Sequence, residues 1–366
     1  MSSAYRFLFL PVSAARGTGE YMRALAIAAA VAERWPEADI RFMVSHEAPY
    51  AKSVPFRTQL LASSPTMQPR AVAAYLRDFR PHIVVFDNAG RTSQLKVARE
   101  VGARVVYVSS RSRQRRRAFR WRWMRLVAEH WIAYPELLAG RITVWERCKL
   151  GISRGPRVRY LDVLLPTSAG ATDQTVFATH AVAAGQYVLI TPGGGAAHRS
   201  LPYAAGIISQ AARTIAARVP AVLWIGGGQV TASETPASLR RIERLPMTEL
   251  MTLIRGAAVV LTNGADTLLQ VMALERPCVA VALSPDQAVR LQRLQQAGIS
   301  VDVPLDSDAI VRAALLLYGN ADAARDNVAM TARLSLSDGL QTAVAAIEQL
   351  LPPTATRMIE EQQRNP

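Results

Sequence analysis

Hydrophobic and polar positions along the chain follow two periods, one typical of buried strands and one typical of helices. Residues 5–13, 39–44 and 82–87 form short apolar runs, whereas residues 20–34 and 91–101 have helical spacing. Short apolar runs bounded by turn residues indicate strands, and apolar positions that recur every three to four residues indicate helices. Strands that alternate with helices predict a parallel, doubly wound α/β sheet.

The same alternation restarts after a small, polar stretch at residues 167–172. Residues 186–191 form another apolar run that ends in a glycine turn, and helical spacing returns at residues 203–219. Two halves that each open with a strand, a glycine turn and a helix predict two Rossmann-like domains facing a cleft. The expected divisions are residues 1–166, residues 167–352 and a disordered tail at residues 353–366.

The clearest single unit is a strand–turn–helix–strand segment near the middle of the second half. Residues 257–261 form an apolar run, Asn263 and Gly264 indicate a turn, a helical pattern follows, and residues 278–283 form the next apolar run. The first backbone N–H groups of a helix have no partner within the helix. The turn is therefore suited to bind a phosphate group.

Glycine turns recur where predicted strands end, at residues 17–19, 193–195, 226–228 and 264. In open α/β sheets ligands bind beyond the carboxyl ends of the strands, and glycine lets a phosphate approach the backbone closely. The alternative is that these glycines serve only the turns of the fold. The dinucleotide fingerprint and the phosphate loop of nucleotide triphosphatases are both absent from the sequence, which disfavours dehydrogenases and ATPases.

Composition narrows the classes of partner and compartment. The formal net charge is +15, which indicates an acidic partner such as nucleic acid, anionic lipid or a phosphorylated substrate. Cys148 and Cys278 are the two cysteines, and they form neither a disulfide framework nor a zinc spacing, which favours a reducing cytoplasm. No apolar run reaches the roughly 18 residues needed to cross a bilayer, so a transmembrane segment is not expected.

The basic–aromatic segment, residues 109–131, concentrates the positive charge. It holds eight arginines, and its aromatic residues are predicted to share one face of a helix. Arginine opposite tryptophan is typical of a helix that lies on anionic lipid. A solvated face over an ordinary core-packing helix and nucleic-acid binding are the alternatives, and nucleic acid is disfavoured because no known recognition motif accompanies the segment. The expected contacts with membrane or acceptor are Arg115, Arg116, Arg117, Trp121 and Trp123.

Residues 245–298 resemble the nucleotide-sugar-binding segment of GT-B glycosyltransferases, and in particular the family of the bacterial lipid II N-acetylglucosaminyltransferase. In that family a Ser/Gly-Gly-Ala/Ser-X-Thr-X-X-Glu run opens the helix, and here residues 263–270 occupy its place. A bend with proline then ends the helix at residues 274–277, and an Asp/Gln loop follows at residues 284–287. One departure is Gln270, which replaces the family's ribose-binding acid by a neutral amide.

The resemblance implies a GT-B fold and a donor site in the second domain. It places the diphosphate at residues 193–195, the nucleotide base near residues 245–247, phosphate and sugar at residues 263–267, and the ribose at Gln270. The nucleotide-sugar contacts expected on these grounds are Gly17, Thr18, Gly19, Thr191, Gly193, Gly194, Gly195, Arg199, Gly226, Gly227, Leu245, Met247, Asn263, Gly264, Ala265, Thr267, Gln270, Asp286 and Gln287.

Two carboxylates are candidates for the catalytic base. The resemblance puts Glu20 where the family has a histidine after its first glycine turn, with Arg23 at a position that is often basic. Glu20 also suits the positive end of a helix, so a purely structural role is the alternative. Asp87 ends a predicted strand and is the second candidate base, and its alternative role is that of a turn or cap residue.

The function implied is transfer of a sugar from a nucleoside diphosphate sugar, expected to be a UDP-sugar, to a lipid-linked or envelope polysaccharide acceptor. We expect no cofactor and no metal, and Asp306 and Asp308 are expected to cap a helix instead of binding an ion. The expected location is the inner face of the cell membrane. A nucleotide-sugar hydrolase of the pseudaminic acid pathway type and an inactive GT-B scaffold are the alternatives, because Glu20 and Gln270 depart from the family.

Overall fold

Two parallel β-sheets organise the chain, one in each half of the sequence. Every pair of neighbouring strands in both sheets is parallel. The predicted α/β fold with two Rossmann-like domains is therefore confirmed. The computed structural model describes residues 4–14, 18–166, 173–193, 201, 203–226 and 236–352.

The first sheet has seven strands, and helices cover both of its faces. Its strands are β1 (Arg6–Pro11), β2 (Asp39–Ser45), β3 (Arg57–Leu61), β4 (Ile83–Asp87), β5 (Arg104–Ser109), β6 (Glu129–Ala133) and β7 (Arg157–Leu161). The helices of this half are α1 (Gly19–Arg34), α2 (Pro69–Phe79), α3 (Thr92–Glu100), α4 (Ser112–Ala118), α5 (Trp121–Met124), α6 (Glu136–Ala139) and α7 (Val144–Ser153), with a short 3-10 helix at Pro65–Met67. The strand order is β3-β2-β1-β4-β5-β6-β7, so β1 and β4 are neighbours at the centre.

The second sheet has five strands in the order β10-β9-β8-β11-β12. These strands are β8 (Tyr187–Thr191), β9 (Ala221–Ile225), β10 (Leu239–Ile242), β11 (Val259–Asn263) and β12 (Cys278–Val281). The helices are α8 (Asp173–Thr179), α9 (Ala204–Ala216), α10 (Met247–Gly256), α11 (Asp266–Ala273), α12 (Pro285–Gln296), α13 (Ser307–Gly319), α14 (Ala321–Ala332) and α15 (Gly339–Leu350).

The central strands are apolar except at their carboxyl ends, because helices cover both faces of each sheet. All five residues of β4, β8 and β11 are buried. One hydrophobic cluster continues from the α1 side of the first sheet to the α10 and α11 side of the second sheet. The two halves therefore share packed apolar surface as well as polar contacts.

Helix α15 packs against α1 and β7 of the first sheet, although it follows the second sheet in the sequence. Ala343, Ala346 and Ile347 on this helix are fully buried. A single bridge between Val163 and Asp338 fixes the point where the chain returns. The end of the described chain is thus part of the packing of the first domain.

The basic–aromatic segment does not form the single helix that its spacing predicts, so that prediction is wrong. The segment contains α4 and α5, and then β6, whose five residues are all buried between β5 and β7. A strand with partners on both sides pairs its backbone groups with both neighbours, and the helices that cover the sheet bury its faces. This tertiary gain outweighs the local preference for helix, which is only a weak determinant.

Candidate functional site

The centre of the first sheet places several polar side chains at the carboxyl ends of β1 and β4. The chain leaves β1 toward β2 and leaves β4 toward β5 on the other side, so the crevice between them is the topological switch point. Helix α1 starts beyond β1, which brings Glu20 and Arg23 to this crevice, and Asp87 ends β4. The sequence predicted Glu20 and Asp87 as candidates, and the fold brings them to one place.

Arg23 and Asp87 form a buried, bidentate ion pair. The guanidinium donates from Nε to Oδ2 and from Nη2 to Oδ1, each at 2.8 Å, and the two side chains are 3% and 1% exposed. Burial raises the pKa of Asp87 to about 7, and Arg23 acts in the opposite direction. Because Arg23 occupies both carboxylate oxygens, Asp87 fixes the guanidinium and has no oxygen turned toward the cleft.

Arg23 also joins the two domains. Its Nη1 lies 3.2 Å from Oδ2 of Asp266, the first residue of α11 in the second domain. Burial disfavours the charge of Arg23, but Asp87 and Asp266 outweigh it and hold the pKa of Arg23 above its ordinary value. Residues at both switch points therefore share one guanidinium, and the sequence analysis missed this role of Asp266.

Tyr134 and Arg290 extend this contact between the domains. The Arg290 guanidinium lies 4.3 Å from the centroid of the Tyr134 ring, and its Nε donates to the carbonyl of Gly264 at 2.8 Å. Burial, with the charge of Asp266 second, raises the pKa of Tyr134, so its hydroxyl stays protonated at neutral pH. Tyr134 has a left-handed backbone (φ 84°), which is rare for a residue with a side chain.

Glu20 is held by a separate set of hydrogen bonds. The amide Nδ2 of Asn88 donates to Oε1 of Glu20 at 3.0 Å and to Oγ of Ser110 at 2.6 Å, and Oδ1 of Asn88 accepts from the backbone N–H of Ser110 at 3.0 Å. Arg111 lies 3.5 Å from the same carboxylate. The Glu20 side chain is 14% exposed. It is therefore oriented by fixed donors yet reachable from the cleft, unlike Asp87.

The second sheet has its own switch point between β8 and β11. A Cβ added at Gly193 would lie 2.5 Å from Nδ2 of Asn263, and one added at Gly226 would lie 3.2 Å from the carbonyl oxygen of Gly193. Both glycines have positive φ, 93° and 72°. The ends of three neighbouring strands thus converge so tightly that only glycine fits, as a backbone cradle for a ligand requires.

Asn263 is the polar side chain at the centre of this convergence. Its Nδ2 donates to the carbonyl of Pro192 at 2.7 Å, and the residue is only 6% exposed. Its Oδ1 is buried, and none of the described residues donates a hydrogen bond to it. A buried acceptor without a partner is costly, which makes this oxygen a candidate to accept a hydrogen bond from a ligand.

The N-terminus of α11 lies directly beyond this cradle. Ala265 precedes the helix and cannot cap it with a side chain, and Thr267 lies in the first turn. A Cβ at Gly264 would lie 2.9 Å from Leu291 on α12, so glycine is required there as well. The predicted turn between β11 and α11 is therefore present, and Asp266 is the first side chain of the helix.

Gln270 lies one turn farther along α11, and it is buried. Its Nε2 donates to the carbonyl of Leu164 at 2.8 Å and lies 4.0 Å from the sulfur of Met247. The side chain that stands at the family's ribose position is thus also used to hold the chain just before residue 167. Met247 begins α10, which places it and the preceding Leu245 near Gln270.

The remaining residues that were expected to contact the nucleotide sugar differ in burial and in their hydrogen bonds. Thr191 ends β8, is buried, and accepts from Thr262 through its carbonyl at 3.0 Å. Asp286 is exposed in the first turn of α12, whereas Oε1 of Gln287 accepts from the backbone N–H of Leu283 at 2.7 Å. Thr18 and Gly19 open α1 at the edge of the first crevice. The expected contacts that lie outside the described residues are Gly17, Gly194, Gly195, Arg199 and Gly227.

The five expected membrane contacts divide into exposed and structural side chains. Arg116 and Trp121 are exposed. Arg115 donates to the carbonyls of three residues at the start of the α6–α7 connection, and its side chain is 12% exposed. Trp123 is buried and donates to Thr92, and Arg117 stacks over its ring at 5.5 Å. Arg115, Arg117 and Trp123 therefore have contacts within the fold.

Candidate metal ligands do not cluster in the described part of the chain. No three His, Cys, Asp or Glu side chains group there in a way that would hold an ion. Asp306 caps α13 by accepting from the backbone N–H of Ala309 at 2.9 Å, as the sequence predicts. No described helix is long and apolar enough to span a bilayer.

Comparison with known proteins identifies the architecture. No protein-family model and no curated protein sequence matches this chain. Solved structures of glycosyltransferases do match it along nearly its whole length, and they share the GT-B fold, which confirms the fold that the resemblance implied. The spinosyn forosaminyltransferase SpnP superposes with a TM-score of 0.61 at 16% identity, covering 95% of this chain and 99% of its own.

Two further matches come from a plant and a bacterium. A UDP-glucosyltransferase from Polygonum tinctorium capable of glucosylating indoxyl has a TM-score of 0.63 at 14% identity, with 96% of this chain and 99% of its own covered. MurG from Acinetobacter baumannii has a TM-score of 0.57 at 13% identity, with 95% and 100% covered. At such low identity the likeness establishes the fold alone.

Proposed function

We propose that this GT-B chain is a glycosyltransferase that moves a sugar from a nucleoside diphosphate sugar, with UDP as the nucleotide, to a hydroxyl acceptor. The observation that carries the proposal is the shared guanidinium of Arg23. It connects Asp87, at the crevice that also holds Glu20, with Asp266 at the start of α11, beside the glycine turns of the second sheet. The structural neighbours are glycosyltransferases, and two of them are complexes with UDP or with UDP-2fluoro-glucose, which supports the same assignment.

The donor is assigned to the second domain, residues 167–352. The N–H groups at the start of α11 and the cradle of Gly193 and Gly226 suit the diphosphate. The Oδ1 of Asn263 has no hydrogen-bond partner among the described residues. It can accept a hydrogen bond from the bound molecule, for example from a sugar hydroxyl. Gln270 is assigned to the ribose, where its amide offers a hydrogen bond without a charge.

The acceptor is assigned to the first domain, residues 1–166, with Glu20 as the base. The acceptor oxygen attacks the anomeric carbon, the bond from that carbon to the diphosphate oxygen breaks, and the hydroxyl proton passes to Glu20. Asn88 holds the carboxylate in place for this transfer. Charge that develops on the departing diphosphate is stabilised by the helix amides and by Arg23, which is already desolvated, so the reaction does not require a metal.

The acceptor class and the location form the finer part of the proposal. We assign a lipid-linked or envelope polysaccharide acceptor, and a position on the inner face of the cell membrane. The strongly positive first domain supports this assignment, because such acceptors are anchored in or near an anionic surface.

Thermal unfolding with a panel of nucleoside diphosphates tests the proposal. Uridine diphosphate should raise the melting temperature in a concentration-dependent manner, and EDTA should leave the increase unchanged. A matched control is the double variant Gly193→Ala with Gly226→Ala, in which the added methyl groups should abolish the increase. If no nucleotide shifts the melting temperature of the wild type, the donor site is disproved.

A second measurement separates transfer from hydrolysis. Incubation with UDP-sugars should release uridine diphosphate faster when acceptor is supplied, for example membranes or lipid extracts of a bacterial envelope. Release that proceeds at the same rate without any acceptor would assign the chain to the nucleotide-sugar hydrolases. Nucleotide binding without release would identify an inactive scaffold.

A further inference from the structure

Helix α7 presents an apolar face to solvent. Val144, Trp145 and Ile152 are 69%, 65% and 74% exposed, and Cys148 is exposed on the same face. With 3.6 residues per turn, these four positions fall within an arc of about 100°. No residue of α7 is buried. Within the described part of the chain, nothing covers this face.

Positive charge surrounds the apolar face of α7. Arg147 and Lys149 flank it on the same helix, and the Lys149 ammonium lies 5.4 Å from the centroid of the Trp145 ring. Residues 111–154 carry twelve Arg and Lys against three Glu, a local net charge of +9 out of +15 for the chain. A short stretch of the first domain therefore contributes most of the excess charge.

Each of the three acidic groups in this stretch lies beside an arginine, and the half-exposed Glu136 lies 3.0 Å from Arg141. Glu129 is fully buried and pairs with Arg159 at 2.9 Å. Glu146 accepts from the backbone N–H of Thr143 as part of the cap of α7 and lies 3.4 Å from Arg115. The exposed charges of α4, α5 and α7 are almost all arginines.

The basic helices and α7 form one platform. Arg115 of α4 donates to the carbonyls of Ala139, Gly140 and Arg141, which lead into α7. Helix α5 packs against α7, with Ser153 beside the sulfur of Met124. Exposed arginines and exposed apolar side chains are thus carried on elements that are fixed to one another.

We propose that the outward face of α7 and the exposed arginines of α4 and α5 dock this protein on an anionic lipid bilayer. The arginines attract the headgroups, and Val144, Trp145 and Ile152 enter the headgroup–acyl boundary. The surface differs from the one that the sequence pattern suggested, because Trp123 and Trp131 are buried in the domain. The proposal rests on the membrane location given in the proposed function and names the surface responsible, and it does not depend on a bound donor.

The composition of the surface selects a bilayer over nucleic acid. Single-stranded nucleic acid is bound by arginines together with aromatic rings on which bases stack. Val144 and Ile152 are aliphatic and offer no stacking surface, yet they are among the most exposed large apolar side chains of the molecule. An anionic bilayer uses both the charge and the aliphatic groups.

Co-sedimentation of the full chain with vesicles tests the proposal. The protein should bind vesicles of phosphatidylcholine with phosphatidylglycerol and should stay in solution with phosphatidylcholine alone. Rising salt should release it only in part, because apolar insertion is not screened. Trp145→Ser with Ile152→Ser should weaken binding at least about tenfold and make the release by salt complete.

The charged part of the surface has its own variant and a matched control. Arg113→Ser with Arg116→Ser should weaken binding about fivefold for each arginine removed. Arg312→Ser with Leu316→Ser removes one exposed arginine and one exposed leucine from α13 in the second domain. This control should bind as the wild type does, and the melting temperatures of all variants should stay close to that of the wild type.

Cys148 provides a direct report on insertion. It is exposed on the apolar face of α7, whereas Cys278 is buried, so a thiol-reactive, environment-sensitive fluorophore attaches to Cys148 selectively. Its emission should shift to shorter wavelength on phosphatidylglycerol vesicles and be quenched by spin labels near the top of the acyl chains. A label on Leu316→Cys, in a Cys148→Ser background, should not respond.

Three results would overturn the proposal. The first is equal binding to both vesicle types, and the second is an unchanged emission of the Cys148 label on vesicles that do sediment the protein. The third is tight binding to single-stranded nucleic acid that survives Trp145→Ser with Ile152→Ser, in the absence of vesicle binding. Since these measurements need no donor, their failure would leave the proposed transfer reaction to be judged by its own tests.

Discussion

At the scale of single residues, the contacts of Glu20 and Asp87 distinguish the two candidate bases of the proposed reaction. Both are near the same crevice, but Arg23 occupies both oxygens of Asp87, whereas Glu20 keeps access to the cleft. Glu20→Gln should therefore lower turnover about 100-fold or more while uridine diphosphate affinity stays within about twofold. Steady-state kinetics and calorimetry measure the two effects.

A matched variant controls for the loss of charge. Glu37→Gln removes an exposed carboxylate just beyond α1 and should leave turnover unchanged. Equal turnover in Glu20→Gln and the wild type would remove Glu20 from the reaction.

His130 gives the fold a pH dependence of its own. It is fully buried in β6, where Ser109 hydrogen-bonds its Nε2 at 2.9 Å, and burial lowers its pKa to about 3 from 6.5. Below pH 6.5 the unfolded chain takes up a proton that the folded chain excludes, so stability falls as the pH is lowered toward 3. The loss between about pH 6.5 and pH 5 should be about 2 kcal/mol.

Denaturant titrations across this pH range measure the effect. His130→Gln should lower the stability at neutral pH but reduce its dependence on pH, because the titrating group is gone. His46→Gln, at an exposed position, is the control and should keep the dependence. An equally steep pH dependence in His130→Gln would refute the role of His130.

Gln270 has a structural role in addition to the ribose contact proposed for it. Its Nε2 donates to the carbonyl of Leu164. A glutamate carboxylate in its place would bring two hydrogen-bond acceptors, the carboxylate and the carbonyl oxygen, together without a donor. Gln270→Glu should cost about 1–3 kcal/mol of stability and should change the affinity for uridine diphosphate, since it restores the acid of the resembling family. Gln296→Glu, exposed on α12, is the control, and unchanged affinity in Gln270→Glu would remove Gln270 from the ribose site.

At the scale of elements, the N-terminus of α11 already holds an anion. Asp266 stands beside the turn that suits a phosphate, and it binds Arg23 across the domains. The carboxylate of Asp266 should therefore repel an entering diphosphate. The two anions would also compete for the guanidinium of Arg23. We therefore expect Asp266 to compete with the proposed nucleotide-sugar donor.

Removing this charge should strengthen nucleotide binding. Asp266→Asn should tighten uridine diphosphate binding about fivefold, equivalent to about 1 kcal/mol, and cost a similar amount of stability at the helix N-terminus. Asp308→Asn, in the first turn of α13, removes a helix-terminal charge far from the cleft and is the control. Weaker nucleotide binding in Asp266→Asn would mean that this carboxylate assists the donor.

At the scale of the whole molecule, the first domain is completed by a helix from the end of the described chain. Ile347 of α15 is fully buried and belongs to the hydrophobic cluster that both domains share. Ile347→Ala should cost about 2–5 kcal/mol. Hydrogen exchange should show the loss in α1 and β7, against which α15 packs, although these elements lie far away in sequence.

The informative result of this experiment is which elements lose protection from hydrogen exchange. Leu350→Ala, at a partly buried position of the same helix, should cost clearly less and serves as the control. Faster exchange confined to α9 and α13 in the second domain would contradict the assignment of α15 to the packing of the first.

Much of the fold could be predicted from local pattern, because strands buried on both faces leave continuous apolar runs in the sequence. The central strands β1, β4, β8 and β11 and helices α1, α9 and α11 lie within a few residues of their predicted positions. Strands β3, β6 and β10 were not predicted. They carry charged residues or adjoin the arginine-rich segment, so their local signal is weak and pairing in the sheet decides their structure.

The sequence by itself determined the alternation of strands and helices, the glycine turns and the concentration of arginine, because each depends on neighbours along the chain. Only the tertiary structure decided which side chains meet. Residues far apart in sequence became the shared ion pairs of Arg23 with Asp87 and Asp266, and Asn88 became the partner of Glu20. Tertiary packing also buried Trp123 and left Trp145 exposed. Contacts between distant residues depend on how the two sheets and their helices pack, and the local spacing of apolar residues does not determine that packing.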